Sequence, residues 1–115
     1  MFYNIPVVVQ GEIVKGPKDD LVIAGNTVQF DCEAGFEDLR ILSWYFNEIE
    51  IFHSYQGYEE YPVGKSKYHV TVSGKQFKLT IKDVLLEDGG IYTCSAVSDI
   101  KSAKLLVYGE SNKLY

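Results

Sequence analysis

The chain has 115 residues, of which 46% are hydrophobic and 23% are charged, and it contains two cysteines and one tryptophan. This length fits one domain with one core and excludes a cofactor fold joined to a separate substrate domain. The sixteen acidic and eleven basic residues give a net charge of −5. This balance argues against nucleic acid or an anionic membrane surface as the main partner, because both require a basic protein surface.

The sequence contains no apolar run approaching the roughly 18 residues of a membrane-spanning helix. Its first residues lack the basic region and the small-residue cleavage site of a secretory signal peptide. We therefore expect either a cytosolic protein or a piece of a longer secreted or surface chain, and the cysteines have to distinguish the two.

Short runs rich in Val, Ile, Thr, Tyr and Phe alternate apolar with polar residues and are separated by turn residues. The predicted strands are, in chain order, residues 21–23, 27–32, 39–46, 49–55, 67–72, 76–81, 91–97 and 102–108. Residues 73–75 predict a hairpin turn, and residues 98–101 predict a polar loop. The tyrosine-rich segment 55–61 is predicted to be a loop or a frayed edge, and residues 84–88 a single helical turn at most. This spacing of strands is typical of a β-sandwich or a β-barrel.

Three features of the sequence combine into a specific pattern. Cys32 closes one predicted strand, Cys94 lies inside another, and Trp44 follows Cys32 by twelve residues. Residues 79–94 contain L-x-I followed by D-x-G-x-Y-x-C. Together these features resemble the immunoglobulin superfamily over about residues 16–108.

The resemblance implies an all-β, two-sheet Greek-key sandwich with one disulfide between the sheets. The residues that it assigns to this framework are the disulfide pair Cys32 and Cys94, the core residues Trp44, Tyr92, Leu79 and Ile81, and the ion pair Lys67–Asp88. Trp44 is expected to pack against the disulfide, and Tyr92 to form the family's tyrosine corner, which anchors the loop before its strand.

The resemblance divides the chain into three parts. Residues 16–108 form the immunoglobulin-like domain. Residues 1–15 form an N-terminal extension in which the first edge strand is allowed, and residues 109–115 form a tail or the start of a linker. Residues 44–51 resemble the hairpin of I-set domains with Ile51 pointing inward, although Glu48 replaces the usual Gly. The long stretch between Trp44 and Leu79 leaves room for a C′ and a C″ strand, so we favour an I-set domain with an extended C′ region and leave the V-set open.

The cysteines allow two other readings, half of a metal site or two free thiols. There is no C-x-x-C, and His53 and His69 have no ligand-like neighbours. We therefore interpret the pair as a disulfide, which persists only in oxidising compartments, and expect an extracellular domain at the cell surface or secreted.

The sequence contains no motif of a nucleophilic hydrolase, a metalloprotease or a phosphate-binding loop, so we expect no enzyme and no cofactor or metal. Four acidic pairs lack the spacing of a calcium loop and are interpreted as solvated turns. No N-x-S/T acceptor for N-linked glycan occurs, so the faces of the domain are expected to be free for protein contact.

Strand alternation then predicts which residues point away from the core on the sheet built from strands G, F, C and C′. The residues expected to bind protein there are Tyr45, Ile49, Phe52, Tyr55, Val97 and Leu106. Apolar and aromatic patches of this kind are rarely left bare in monomers. The open alternative is that a neighbouring domain covers part of this face. The tyrosines of segment 55–61 are expected either to form a contact loop or to complete the core.

The main hypothesis is a protein–protein recognition module of an extracellular cell-adhesion molecule or cell-surface receptor. Its partner is another copy of itself or a different surface protein, with no nucleic acid and no small-molecule substrate, and the parent chain is either membrane-anchored or free. The first alternative is a secreted, soluble immune-type recognition protein. The second is a structural I-set spacer of an intracellular muscle-type protein with reduced cysteines.

Overall fold

The structure is a computed structural model, and it describes residues 13–35, 41–97 and 99–109. These residues form ten β-strands and one 3₁₀ turn, Leu86–Asp88. The strands are β1 Ile13–Lys15, β2 Asp20–Ile23, β3 Val28–Ala34, β4 Ile41–Phe46, β5 Ile49–Tyr55, β6 Tyr58–Glu60, β7 Tyr68–Ser73, β8 Gln76–Ile81, β9 Gly90–Ala96 and β10 Asp99–Tyr108. Among the described residues, no helix has the length and apolar character needed to span a bilayer.

The strands form two sheets that pack face to face. The first sheet has four strands in the order β1-β3-β8-β7, and the second has six in the order β2-β10-β9-β4-β5-β6. Neighbouring strands are antiparallel except β2 and β10, which are parallel. The predicted fold class, an immunoglobulin-like all-β sandwich with an inter-sheet disulfide, is therefore confirmed.

The chain passes from the first sheet to the second between β1 and β2. At this crossing a Cβ on Gly16 would lie 2.8 Å from the Cβ of Lys101. Real Cβ atoms do not approach so closely, so the absence of a side chain lets the two segments cross.

The core is built by period-two alternation in strands from both sheets. In β3, Val28, Phe30 and Cys32 are buried while Gln29 and Asp31 are exposed, and Leu79 and Ile81 of β8 are fully buried. Cys32 of β3 bonds to Cys94 of β9 and so joins the two sheets. The Trp44 indole is fully buried, with its ring edge-on to Phe77 at a centroid distance of 6.2 Å.

A second anchor fixes the turn that precedes β9. The Tyr92 hydroxyl donates to the Asp88 carbonyl oxygen at 2.7 Å, which is the tyrosine corner that the resemblance implies. The Asp88 carboxylate accepts the Leu85 N–H at 2.7 Å and pairs with the Lys67 ammonium group. Burial raises the pKa of the Tyr92 hydroxyl, and the neighbouring Tyr68 and Asp88 raise it further. Burial also raises the pKa of the Tyr68 hydroxyl, and the negative charge of Asp88 raises it further.

Two segments predicted as irregular, one as a loop or a frayed edge and the other as a polar loop, contain strand in the structure. Tyr58–Glu60 pairs with β5 as an edge strand, because Gln56 and Gly57 adopt φ values of 51° and 84°, the positive φ of a tight hairpin turn. Strand β10 begins at Asp99, so the predicted loop is wrong for residues 99–101. The predicted start of β4 at residues 39–40 lies outside the described residues.

The tyrosines of segment 55–61 divide between the two expected roles. Tyr55 and Tyr58 are exposed. Tyr61 packs edge-on against Phe52 at a centroid distance of 5.1 Å, and its hydroxyl accepts the Val70 N–H at 3.0 Å. Tyr61 therefore completes the core, whereas the other two tyrosines remain on the surface.

We expect Cys94→Ser to lower the free energy of unfolding by about 2–5 kcal/mol, because the disulfide closes a long loop in the unfolded chain. Denaturant unfolding of the oxidised wild type and the variant measures this difference. Equal stability of the two proteins would contradict a structural role for the bridge.

We expect Tyr92→Phe to lower the free energy of unfolding by about 1–2 kcal/mol at neutral pH, because the Asp88 carbonyl loses its donor. A tyrosine whose folded pKa is raised stabilises the protein fully below about pH 10 and loses that contribution as pH rises further. The difference between wild type and variant should therefore shrink above about pH 10 in denaturant titrations. Tyr58→Phe, at an exposed tyrosine, is the control and should change neither value. A difference that stays constant up to high pH would contradict the assignment.

Candidate recognition surface

The outer face is the side of the second sheet that points away from the core, and the strand register determines its residues. Residues directly opposite each other in neighbouring strands point to the same side of a sheet. Because Trp44 is buried, its neighbours Ser43 and Tyr45 point outward. Register then defines three rows across the face: Ser102–Thr93–Tyr45–Glu50, Ile100–Ser95–Ser43–His53–Glu60 and Ile41–Tyr55–Tyr58.

Three of the predicted binding residues lie on the outer face. Tyr45 is half-buried there and lines a groove described below. Tyr55 is 55% exposed and lies between Ile41 and Tyr58 in the third row. Leu106 is exposed opposite Leu21 of β2, at the other margin of the sheet.

The prediction that Phe52 points outward is wrong, because its side chain is fully buried. Trp44 is opposite Phe52 and Tyr45 is opposite Glu50, so Ile51 is an extra residue in β5. Such a β-bulge breaks the alternation of side chains along a strand. Ile51 and Phe52 are consequently both buried, whereas Glu50 lies on the outer face opposite Tyr45.

Ile49 and Val97 are exposed, but strand alternation does not place them on the outer face as predicted. Ile49 is opposite Phe46, whose ring stacks on the buried Tyr92 at a centroid distance of 4.8 Å, so it lies on the side of the sheet that faces the core. Val97 follows the last residue of β9 and adopts φ 56° in the turn. The Val97 prediction extended β9 by one residue past its end at Ala96. Ile49 instead begins β5 and, two residues before the buried Ile51, points to the same side of the sheet as that residue.

A groove of about 700 Å³ runs over β4, β9 and β10 on the outer face. The residues that line it are Tyr45, Asn47, Glu48, Ile91, Thr93, Ser95, Ile100 and Ser102. The predicted list omitted Ile91 and Ile100, both of which are exposed. Ile91 lies two residues before the outward-pointing Thr93 in the same strand, so alternation alone predicts that it points outward. Ile100 could not be predicted in this way, because residues 98–101 were predicted to be a loop.

A polar cluster, Ser43, Glu50, His53 and Glu60, lies on β4, β5 and β6 beside the groove and the exposed tyrosines. The Nδ1 atom of His53 lies 2.6 Å from a Glu50 oxygen, and its Nε2 atom lies 3.2 Å from a Glu60 oxygen. The Ser43 hydroxyl also donates to Glu50, at 3.5 Å. Within the part of the chain that the structure describes, no group of three or more His, Cys, Asp or Glu is arranged to hold a metal ion. The outer face therefore has a mixed character, with a groove, a polar cluster that contains two carboxylates and a row that contains two tyrosines.

Two alanine substitutions in β5 test whether Phe52 points into the core and Tyr55 points outward. We expect Phe52→Ala to lower the free energy of unfolding by about 3–5 kcal/mol, because it leaves a cavity beside Trp44. We expect Tyr55→Ala to change it by less than about 0.5 kcal/mol. Thermal or denaturant unfolding measures both changes. Similar losses of unfolding free energy in the two variants would contradict the bulge at Ile51.

Comparisons with known proteins agree with this geometry. The immunoglobulin I-set domain model matches residues 11–107. The peroxidasin homolog pxn-2 of Caenorhabditis elegans is 30% identical over 94 residues, which are 82% of this chain but 6% of that protein. The crystal structure of titin domain I10 is 29% identical with a TM-score of 0.70, covering 84% of this chain and 96% of the titin domain.

The crystal structure of the titin domains z1z2 in complex with telethonin has a TM-score of 0.70 at 20% identity, covering 87% of this chain and 47% of that one. At this identity the likeness shows the fold alone. The family model covers most of the sequence, including the disulfide, the core tryptophan and the tyrosine corner. The chain therefore belongs to the immunoglobulin I-set family.

Proposed function

We propose that this chain is a protein–protein recognition module of an extracellular cell-adhesion molecule or cell-surface receptor, and that it binds through the outer face. The observation that carries the proposal is the amount of apolar surface on that face. Ile91, Ile100, Tyr55 and Tyr58 are all more than two-fifths exposed, and Tyr58 reaches 68%. Monomeric domains rarely leave such patches bare, and tyrosine is favoured at protein interfaces.

The mechanism is recognition by a largely preformed surface. The groove and the tyrosines lie on paired strands of one sheet, which is joined to the other sheet by the disulfide. A rigid surface loses little conformational entropy on binding, so more of the contact energy is available as affinity. Modest affinity for each module becomes strong adhesion when several modules engage together at a cell contact.

The extracellular assignment rests on the Cys32–Cys94 disulfide, because the cytosol keeps such pairs reduced. A secreted recognition protein would use the same face. It differs from a cell-surface receptor in that its parent chain has no membrane anchor.

A second candidate function is a structural spacer within an intracellular muscle-type protein. The observation that favours it is the 29% identity to titin domain I10. The two candidates differ in the redox state of the cysteines. Intact-mass measurement of protein isolated from its native source should find it two hydrogen atoms lighter than the reduced chain. A reduced native protein would favour the spacer.

We expect Tyr45→Arg to abolish binding while the domain remains folded, because the half-buried Tyr45 ring lines the groove rather than the core. The domain is displayed in many copies on fluorescent beads, and bead attachment to intact cells and to other coated beads is counted. Attachment to coated beads reports homophilic binding, and attachment to cells reports a different partner.

The matched control is Gln29→Arg, which adds the same side chain on an exposed position of β3 in the first sheet. It should leave attachment unchanged. Equal loss of attachment in both variants would place the binding surface elsewhere. Loss of cooperative unfolding in Tyr45→Arg would show that the position is required for the fold.

A further inference from the structure

We propose that the outer face docks a partner protein with a basic and apolar surface, and that it does not dock a second copy of this chain. This inference rests on the proposed function and specifies its partner. The first observation is a charge asymmetry: strands β4, β5, β6 and β9 contain no Lys or Arg. The outward-pointing Lys104 of β10 lies opposite Ile91, at one end of the groove.

Three glutamates lie on this part of the molecule. Glu48 lines the groove, and Glu50 and Glu60 lie on the outer face on either side of His53. A single imidazole cannot neutralise two carboxylates. A neutral ring has one N–H and donates to only one of them, and a protonated ring carries one positive charge against two negative ones. The cluster of Glu50, His53 and Glu60 therefore presents net negative charge to any partner.

The row Ile41–Tyr55–Tyr58 lies directly beside this cluster. Its side chains are 44%, 55% and 68% exposed in that order. An arginine or lysine of a partner can place its charged group against Glu60 and its methylene groups on the tyrosine rings. Carboxylates next to exposed aromatic rings thus match a cationic and apolar surface, and they repel an acidic one.

A second copy of this chain fits the face poorly. A two-fold dimer brings the same patch of each copy together, so the His53 row and its glutamates would face each other or each other's neighbours. Strands β4, β5, β6 and β9 offer no Lys or Arg to compensate, Lys104 lies at the far end of the groove, and each copy has a net charge of −5. Repulsion between like charges at short range opposes this contact, most strongly at low salt.

The test selects binders from a random peptide library displayed on phage, with the intact wild-type domain as the target at low ionic strength. We expect the enriched sequences to place Arg or Lys next to aromatic or aliphatic residues. One enriched peptide is then synthesised, and its affinity is measured for each variant. Enrichment of acidic or neutral sequences, or of no basic sequence, overturns the proposal.

The key variant is Glu60→Lys, which should weaken binding of that peptide by about tenfold at low salt. The matched control is Glu87→Lys in the 3₁₀ turn, which changes the net charge equally away from the outer face. It should weaken binding by less than about twofold. Equal effects of the two variants would show that only net charge matters and would overturn the docking site.

Two further measurements separate this proposal from the proposed function. If Tyr45→Arg removes peptide binding but Glu60→Lys does not, the recognition face stands and the basic partner is wrong. If neither variant affects it, both proposals fail. Sedimentation equilibrium should find a monomer at all concentrations, and a dimer that Tyr58→Arg dissociates would assign the face to a second copy.

Discussion

The covalent link between Cys32 and Cys94 is the constraint on which the rest of the structure depends. It joins β3 of one sheet to β9 of the other and fixes which side of each strand faces the core. Because Cys94 points inward, Thr93 and Ser95 must point outward, and the register carries this parity to Tyr45 and Ser43 in β4. The set of residues on the outer face thus follows from the same bond that joins the two sheets.

The bulge in β5 modifies this simple rule and gives the outer face its character. By inserting Ile51 as an extra residue, it buries Phe52 and places Glu50 and His53 on the surface. In a regular strand Glu50 and His53 would point to opposite sides of the sheet. The bulge brings both to the outer face, where Glu50 and Glu60 flank His53.

The I-set family defines the scaffold, whereas the side chains of the outer face distinguish this member. Titin domain I10 shares the fold over nearly its whole length, and the peroxidasin homolog contains a related segment that is 6% of its sequence. One fold supports many functions, so the functional argument depends on the chemistry of the face rather than on the family. The absence of Lys and Arg from four adjacent strands is a property of this chain and is independent of any relative.

The sequence by itself determined the fold class, the disulfide pair, the core position of Trp44 and the tyrosine corner, because the residues that carry the resemblance to the immunoglobulin superfamily imply all four. Alternation also placed Tyr45 and Leu106 correctly, since both lie within regular strands. Only the tertiary structure decided the positions of Phe52 and Ile49, and brought His53 between Glu50 and Glu60. A bulge and a hairpin change strand register without any strong local sequence signal, because they are selected by pairing between strands and by the packing of both sheets around one core.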